Sequence, residues 1–252
     1  MIVSDFTQPP AGPTGCGAWF GMTKLRLEPA GTLDECAASV RHEQGKMTDT
    51  KGSAHRPYHH GDLRRVILET AAGMLREYKG WQFTLREVAR RAGVSHAAPY
   101  KHFPDKAALL GELTMQGFEQ LGRELTASIT PRPRLVRKEL EASAAAFVQF
   151  GIANPALYRL MFSSESGDAA SVHLSERVLR TFGVLLDVLE RGQKAGEFKK
   201  RPVKGQAAAC LAHVHGLTML AIEGLLLPEK VGPNPLKAAL ATLLEGLVAS
   251  EP

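Results

Sequence analysis

The chain has 252 residues, 44% hydrophobic and 23% charged, with a formal net charge of +5. That length holds one large or two small domains, and the composition is that of a globular chain rather than a disordered or fibrous one. Cys16, Cys36 and Cys210 form no C-x-x-C pair, which argues against a disulfide scaffold or a zinc site, and Glu223 interrupts the most apolar stretch, Leu217 to Leu227, so no membrane span is expected.

Residues 1–54 carry five Lys/Arg against six Asp/Glu, and Gln8-Pro9-Pro10-Ala11-Gly12-Pro13 is a strong breaker cluster. No amphipathic period lasts two turns, so the segment is expected to be a largely disordered leader that buries too little surface to offset its ordering entropy. Trp19, Phe20, Leu25, Leu27 and Leu33 are costly to leave in water. Either they dock on the globular part, or the leader is not made and Met47 is an alternative start. The apolar run Ala18 to Met22 is too short for a signal peptide, so a cytoplasmic protein is expected.

Residues 55–106 hold ten Lys/Arg against five Asp/Glu, whereas residues 107–252 are near balance at sixteen against fifteen. The basic segment also carries His55, His59, His60, His96 and His102. Such a concentration is the footprint of a polyanion-binding module, although a solvated basic face has the same composition. From Asp62 the pattern turns helical: Leu63, Val66, Ile67, Thr70, Ala71, Met74, Leu75 and Tyr78 form one apolar stripe. Lys79-Gly80 ends it, with Gly80 as the expected left-handed cap. Thr84 and Glu87 make a capping box for a second helix that stops at Ala92-Gly93. Ser95 is the expected N-cap of a third, running through Tyr100 to Phe103 before Pro104. Two short helices around a glycine-containing turn, over 84–103, are a helix-turn-helix.

Helices are then predicted at Lys106 to Ser128, Leu135 to Ala153, Ala156 to Phe162, Val172 to Ala195, Val203 to Leu227 and Pro235 to Ala249. No segment alternates with a period of two, so the expected fold is all-α.

Thr84-Leu85-Arg86-Glu87-Val88-Ala89-Arg90-Arg91-Ala92-Gly93-Val94-Ser95, followed by Tyr100-Lys101-His102-Phe103-Pro104-Asp105-Lys106-Ala107-Ala108-Leu109-Leu110, resembles the TetR family of bacterial transcriptional regulators. His59-His60-Gly61-Asp62-Leu63-Arg64 and Asn154-Pro155-Ala156-Leu157-Tyr158-Arg159-Leu160-Met161-Phe162 look like one subgroup of it. That subgroup usually carries a Trp shortly before a His-Gly pair; here His215-Gly216 is present, with Ala212 and His213 where the Trp would stand. Pro99 also departs from the family, which usually has an aliphatic residue there. The resemblance covers residues 55–250 and implies a DNA-binding domain at 55–121 and a helical effector-binding and dimerisation domain at 122–252.

Carried over residue by residue, the resemblance puts Ser95 to Phe103 in the major groove. Thr84, Ser95, Tyr100, Lys101, His102 and Lys106 would meet phosphates, which set register, while His96, Ala97 and Ala98 would face base edges. Phe147, Phe150, Tyr158, Met161, Phe162, Phe182, His213 and Met219 are effector-pocket candidates by residue type, although such residues at helical spacing are more often core than pocket. Leu236, Leu240, Leu243, Leu244 and Leu247 on the last helix are spaced for a dimer seam or for intrachain core. His213 and His215 point about 200° apart on a helix and cannot share a metal, and no metal or cofactor is expected. The implied function is a homodimeric repressor released from palindromic double-stranded DNA by a small molecule. An effector-independent DNA binder and an activator remain open. An enzyme is not expected, because the chain has no G-x-S-x-G, H-E-x-x-H or phosphate-cradling glycine loop.

Overall fold

A computed structural model of the protein describes residues 63–129, 135–165 and 167–248. The proposed leader, Met47 and the His59-His60 arm lie outside the described residues. Within them the protein is all-α, as expected, with one isolated antiparallel bridge, Phe198 to Val248, as its β-type pairing.

The apolar stripe of α1 (Leu63–Glu77) buries Leu63, Ile67, Leu68, Ala71, Met74 and Leu75. Each large side chain of that set contributes about 1.5–3 kcal/mol by leaving water. The helix does not end as its sequence suggests. Lys79 takes the left-handed conformation at φ 54, while the Gly80 amide donates to Leu75 O (3.1 Å) and the Lys79 amide to Arg76 O (3.4 Å). This is a Schellman ending with lysine at the position glycine usually fills. A Cβ at Gly80 would meet only the end of the exposed Gln82 side chain, which can turn away.

After α2 (Leu85–Arg91) comes a short 3-10 helix (Pro99–Lys101), then the 23-residue α3 (Lys106–Ser128), capped by Asp105, whose carboxylate accepts from Ala108 N at 2.7 Å. The N-terminal half of α3 buries Leu109, Leu110 and Leu113 in one core with α1, α2 and Leu160. Its C-terminal half buries Phe118, Leu121 and Leu125 in a second core. The expected domain boundary at 121/122 therefore falls inside one continuous helix.

The second core is completed by α4 (Val136–Ala153), α5 (Pro155–Met161), α7 (Glu176–Lys194), α8 (Val203–Ile222) and α10 (Pro235–Leu247). Leu135 supplies no side-chain cap to α4. Glu197, from beyond the end of α7, reaches back instead, accepting from Val136 N and Arg137 N at 3.0 Å each. A carboxylate at a helix N-terminus also opposes the helix dipole. The helix expected from Val172 to Ala195 is broken: α6 (Ala169–His173) precedes α7, with Asp168 accepting from Ser171 N. The cap at Asp168 is what starts the extra turn. The helix expected to reach Leu227 ends at Ile222, and α9 (Pro228–Val231) occupies part of the connection.

Two further expectations change. By length and composition α8 is apolar enough to cross a membrane, contrary to the reading that no such stretch exists; Glu223 lies one residue past its end. Its packing explains the composition, because Ala207, Cys210, Val214 and Thr218 are buried within the chain while Ala208, Ala209, Ala212 and Leu220 are exposed. On α10, the candidate seam is largely internal. Leu240 and Leu247 are buried in the core, and Leu243 and Leu244 pack against it, leaving Leu236 half-buried near the start.

The end of α7 folds over Phe198, which is 1% exposed, and an added Cβ at Gly192 would lie 2.1 Å from its ring. Gly183, on the same helix, has nothing within 4 Å. Gly192→Ala is expected to lower unfolding free energy by about 1–3 kcal/mol through overpacking. Gly183→Ala is expected to raise it by up to about 1 kcal/mol through helix propensity. Urea denaturation of both variants checks the opposite signs.

Candidate nucleic-acid interface and internal cavity

The capping box expected at α2 is present in full. Glu87 N donates to Thr84 Oγ1 (3.2 Å), and Thr84 N donates to Glu87 Oε2 (2.6 Å). Those amide and hydroxyl donors hold the Glu87 carboxyl below the usual carboxylate range. At the other end, Gly93 adopts φ +69 in open space, with Gly93 N donating to Arg90 O and Val94 N to Ala89 O. Arg91 pairs with Glu77 and ties α2 to α1.

The segment expected to be a helix from Ser95 is not an α-helix. Residues 96–98 form turns, and only Pro99–Lys101 is helical, in the tighter 3-10 form. Pro99 explains this: it has no N–H to give the Ser95 carbonyl, which accepts from Ala98 N at 2.9 Å instead. Among the described residues the Ser95 hydroxyl caps nothing, and the His96 and Ala97 amides donate to no backbone carbonyl. Ser95, His96, Ala97, Tyr100 and Lys101 are exposed, and His102 is half-buried. Ala98, 8% exposed, belongs to the core beside Pro99 and Phe103, so it faces inward rather than toward a base. Lys106 is half-buried with Nζ 5.8 Å from the centre of the Phe83 ring, and Thr84 is exposed. Arg86 and Arg90 were not singled out from the sequence; both are exposed on α2 and neither joins an ion pair among the described residues. Their signal was the position one helical turn apart, opposite buried Leu85, Val88 and Ala89.

A partly open cavity of about 250 Å³ lies among α3, α4, α6, α7, α8 and α10. Three of the eight candidates line it: Phe147, Phe162 and Phe182. Phe150, Tyr158 and Met161 are core, Met219 packs at its edge, and His213 bonds Ala239 O on another face at 3.0 Å. Sequence reading missed Phe118, Ser143, His173 and Cys210, among others. Phe118, Leu121 and Leu125 do repeat at helical spacing on α3, but that spacing marks a buried face and not a void in it. Phe118 stands edge-on to Phe162 and to His173, with ring centres 5.6 and 5.3 Å apart.

Beside the cavity, Tyr158 Oη and His215 Nδ1 are 2.8 Å apart and the rings stack. His213 and His215 thus bond to different helices, and no group of three metal-ligating side chains occurs among the described residues. A chain of ion pairs crosses between the two cores. Glu112, 8% exposed, meets Arg64 of α1 and Arg177 of α7, at 2.9 Å each, and Arg177 also grips Glu119 with two bonds of 2.6 and 3.0 Å. Arg177 immediately precedes Val178, which lines the cavity.

These features define a DNA-binding regulator with a helix-turn-helix head and a hollow helical domain. The family description "Bacterial regulatory proteins, tetR family" matches residues 67–113, and "Tetracyclin repressor-like, C-terminal domain" matches residues 140–247. A protein of unknown function from Rhodococcus sp. RHA1 is 32% identical, with a TM-score of 0.65 over 77% of this chain and 100% of that one. A putative tetR family transcription regulator from Shewanella sp. PV-4 shares the fold at 20% identity, with a TM-score of 0.57 over 75% of this chain and 99% of that one. The nucleoid occlusion factor SlmA of Marinomonas sp. (strain MWYL1) is 26% identical over 148 residues, 58% of this chain and 74% of its own. The chain belongs to the TetR family of bacterial transcription regulators.

Burial depresses the His215 imidazole below its ordinary value of 6.5, so the unfolded chain takes the proton first. The stability this neutral ring confers is full above pH 6.5 and declines as pH falls from there toward the lowered folded value. The slope from this one group is at most about 1.4 kcal/mol per pH unit. Urea titrations at pH 7.5 and 5.5 are expected to show a smaller acid loss in His215→Gln than in the native sequence.

Proposed function

We propose that the protein is a dimeric repressor that holds a palindromic operator and leaves it when a small molecule fills the helical-domain cavity. The phosphate contacts would come from Thr84, Ser95, Tyr100, Lys101, His102 and Lys106, with Arg86 and Arg90 adding to the positive face. His96 and Ala97 are left to meet bases, which makes direct readout sparse and gives weight to DNA shape. The free amides at His96 and Ala97 suit a phosphate oxygen.

The exposed face of α8, with small residues Ala208, Ala209 and Ala212 and the neighbouring exposed surface of α10, supports pairing with a second copy. A two-fold protein of this kind reads half-sites about one helical turn or a multiple of it apart. It would act in the cytoplasm, on chromosomal DNA.

The observation that carries ligand-linked release is the Arg64–Glu112–Arg177 chain. It joins the first helix of the reading head to the helix forming one wall of the cavity. A ligand that moves α7 changes the geometry available to Glu112, and hence the seat of α1. Release follows only to the extent that the ligand binds the moved state more tightly.

Anisotropy with an operator selected from random duplexes tests both parts. Lys101→Ala is expected to weaken binding about tenfold or more at moderate salt. It should also reduce the log–log salt slope by about two, one per subunit; an unchanged slope removes Lys101 from the interface. Arg177→Met leaves Glu112 paired with Arg64 and is expected to change operator affinity at least threefold. An unchanged affinity in that variant removes the ion-pair chain from the mechanism.

A further inference from the structure

The chemistry of the cavity wall restricts what can fill it. None of its lining residues is Asp, Glu, Lys or Arg; the wall is made by side chains such as Phe118, Leu121, Phe147, Phe162 and Val214. The guanidiniums adjacent to it in sequence are both held by carboxylates, Arg177 by Glu112 and Glu119 and Arg180 by Glu176. A carboxylate, phosphate or ammonium placed inside would meet no Lys, Arg, Asp or Glu side chain, with the His173 imidazole edge-on to Phe118 as the one ring nitrogen on the wall, and away from that ring its burial costs enough to neutralise or exclude it.

The wall does offer hydrogen bonding, at the His173 imidazole on α6 and at one buried hydroxyl. Ser143 on α4 lines the cavity, is 5% exposed, and its hydroxyl has no hydrogen-bond partner among the described residues. The other buried hydroxyl of the wall, Thr181 Oγ1, is already spent on Phe118 O at 2.8 Å. Cys210 on α8 also lines the cavity, and burial pushes its thiol up to about 11, so it is a neutral S–H and not a nucleophile at physiological pH. A void of 150 Å³ accommodates benzene, so 250 Å³ accommodates roughly ten non-hydrogen atoms.

We propose that the cavity binds an uncharged, apolar molecule of about ten non-hydrogen atoms with a single hydroxyl or carbonyl group that hydrogen-bonds to Ser143. The apolar body lies between the Phe118, Phe147 and Phe162 rings. Entry is between α6 and α7. Helix α6 buries none of its residues, His173 at its end and Phe162 before it line the cavity, and Leu179 on α7 lines it while 47% exposed. A segment with so little buried surface opens at low cost. This inference names the ligand class for the effector reading above and rests on the same cavity.

The test is isothermal titration of the full chain with 1-octanol and octanoate, which share a carbon skeleton and differ in charge. One 1-octanol per chain is expected, with an affinity independent of pH between 7.5 and 6.5. Octanoate is expected to bind at least a hundredfold more weakly at pH 7.5. Because it must enter as the neutral acid, its apparent affinity should rise about tenfold at pH 6.5. Ser143→Leu is expected to abolish octanol binding by filling the space while operator affinity persists. The milder Ser143→Ala, which keeps the cavity, should weaken octanol three- to tenfold. Octanoate equal to octanol at pH 7.5, or failure of both to bind, overturns the inference whatever happens at the operator. Octanol binding that leaves operator affinity unchanged upholds the ligand class and overturns the release reading alone.

Discussion

One helix belongs to two cores, and the rest of the architecture is arranged around that constraint. Over roughly 34 Å, α3 gives Leu109, Leu110 and Leu113 to the reading head and Phe118, Leu121 and Leu125 to the helical domain. Neither core can shift along α3 without unpacking the other, because close-packed interiors tolerate discrete rearrangements better than continuous sliding. The short α5 repeats the arrangement on a smaller scale, with Leu160 in the first core and Tyr158 and Met161 in the second. Gly117 lets α3 and α5 approach, since a Cβ there would lie 2.7 Å from the Met161 sulfur.

On this shared strut sits a polar joint. An acidic side chain as buried as Glu112 is expensive unless both oxygens are matched, and here each oxygen has its own guanidinium, one from each side of the molecule. Apolar residues of similar volume would serve stability as well. What they would lack is direction: the paired carboxylate distinguishes one placement of α7 over α1 from its neighbours.

Much of the head was legible in the sequence because its determinants are local. Thr84 and Glu87 find each other three residues apart, Gly93 supplies its own left-handed turn, and the α1 stripe has a clear helical period. The misreadings arose where tertiary contacts decide. Lys79, not Gly80, takes the left-handed position that closes α1, and Glu197 caps α4 from 61 residues away. Ala98 looked like a groove-facing methyl until the 3-10 geometry turned it inward. Cavities are the least legible of all, being made where several helix faces fail to meet. Phe147 and Tyr158 have equivalent sequence credentials, yet one lines the space and the other fills the core. The α10 leucines show the same limit, since an apolar period does not say which side has a neighbour.

Pro99 has a consequence for recognition that reaches past hydrogen bonding. Its ring fixes φ near −65°, and its buried place between Ala98 and Phe103 pins the segment that carries Tyr100 and Lys101. A segment with fewer conformations before contact surrenders less entropy on contact, so more of each phosphate or base interaction survives as net affinity. The same rigidity narrows the choice of DNA. A stiff reader cannot remodel itself to a mismatched groove, and the duplex must supply the adjustment, so sequences that deform easily gain the advantage.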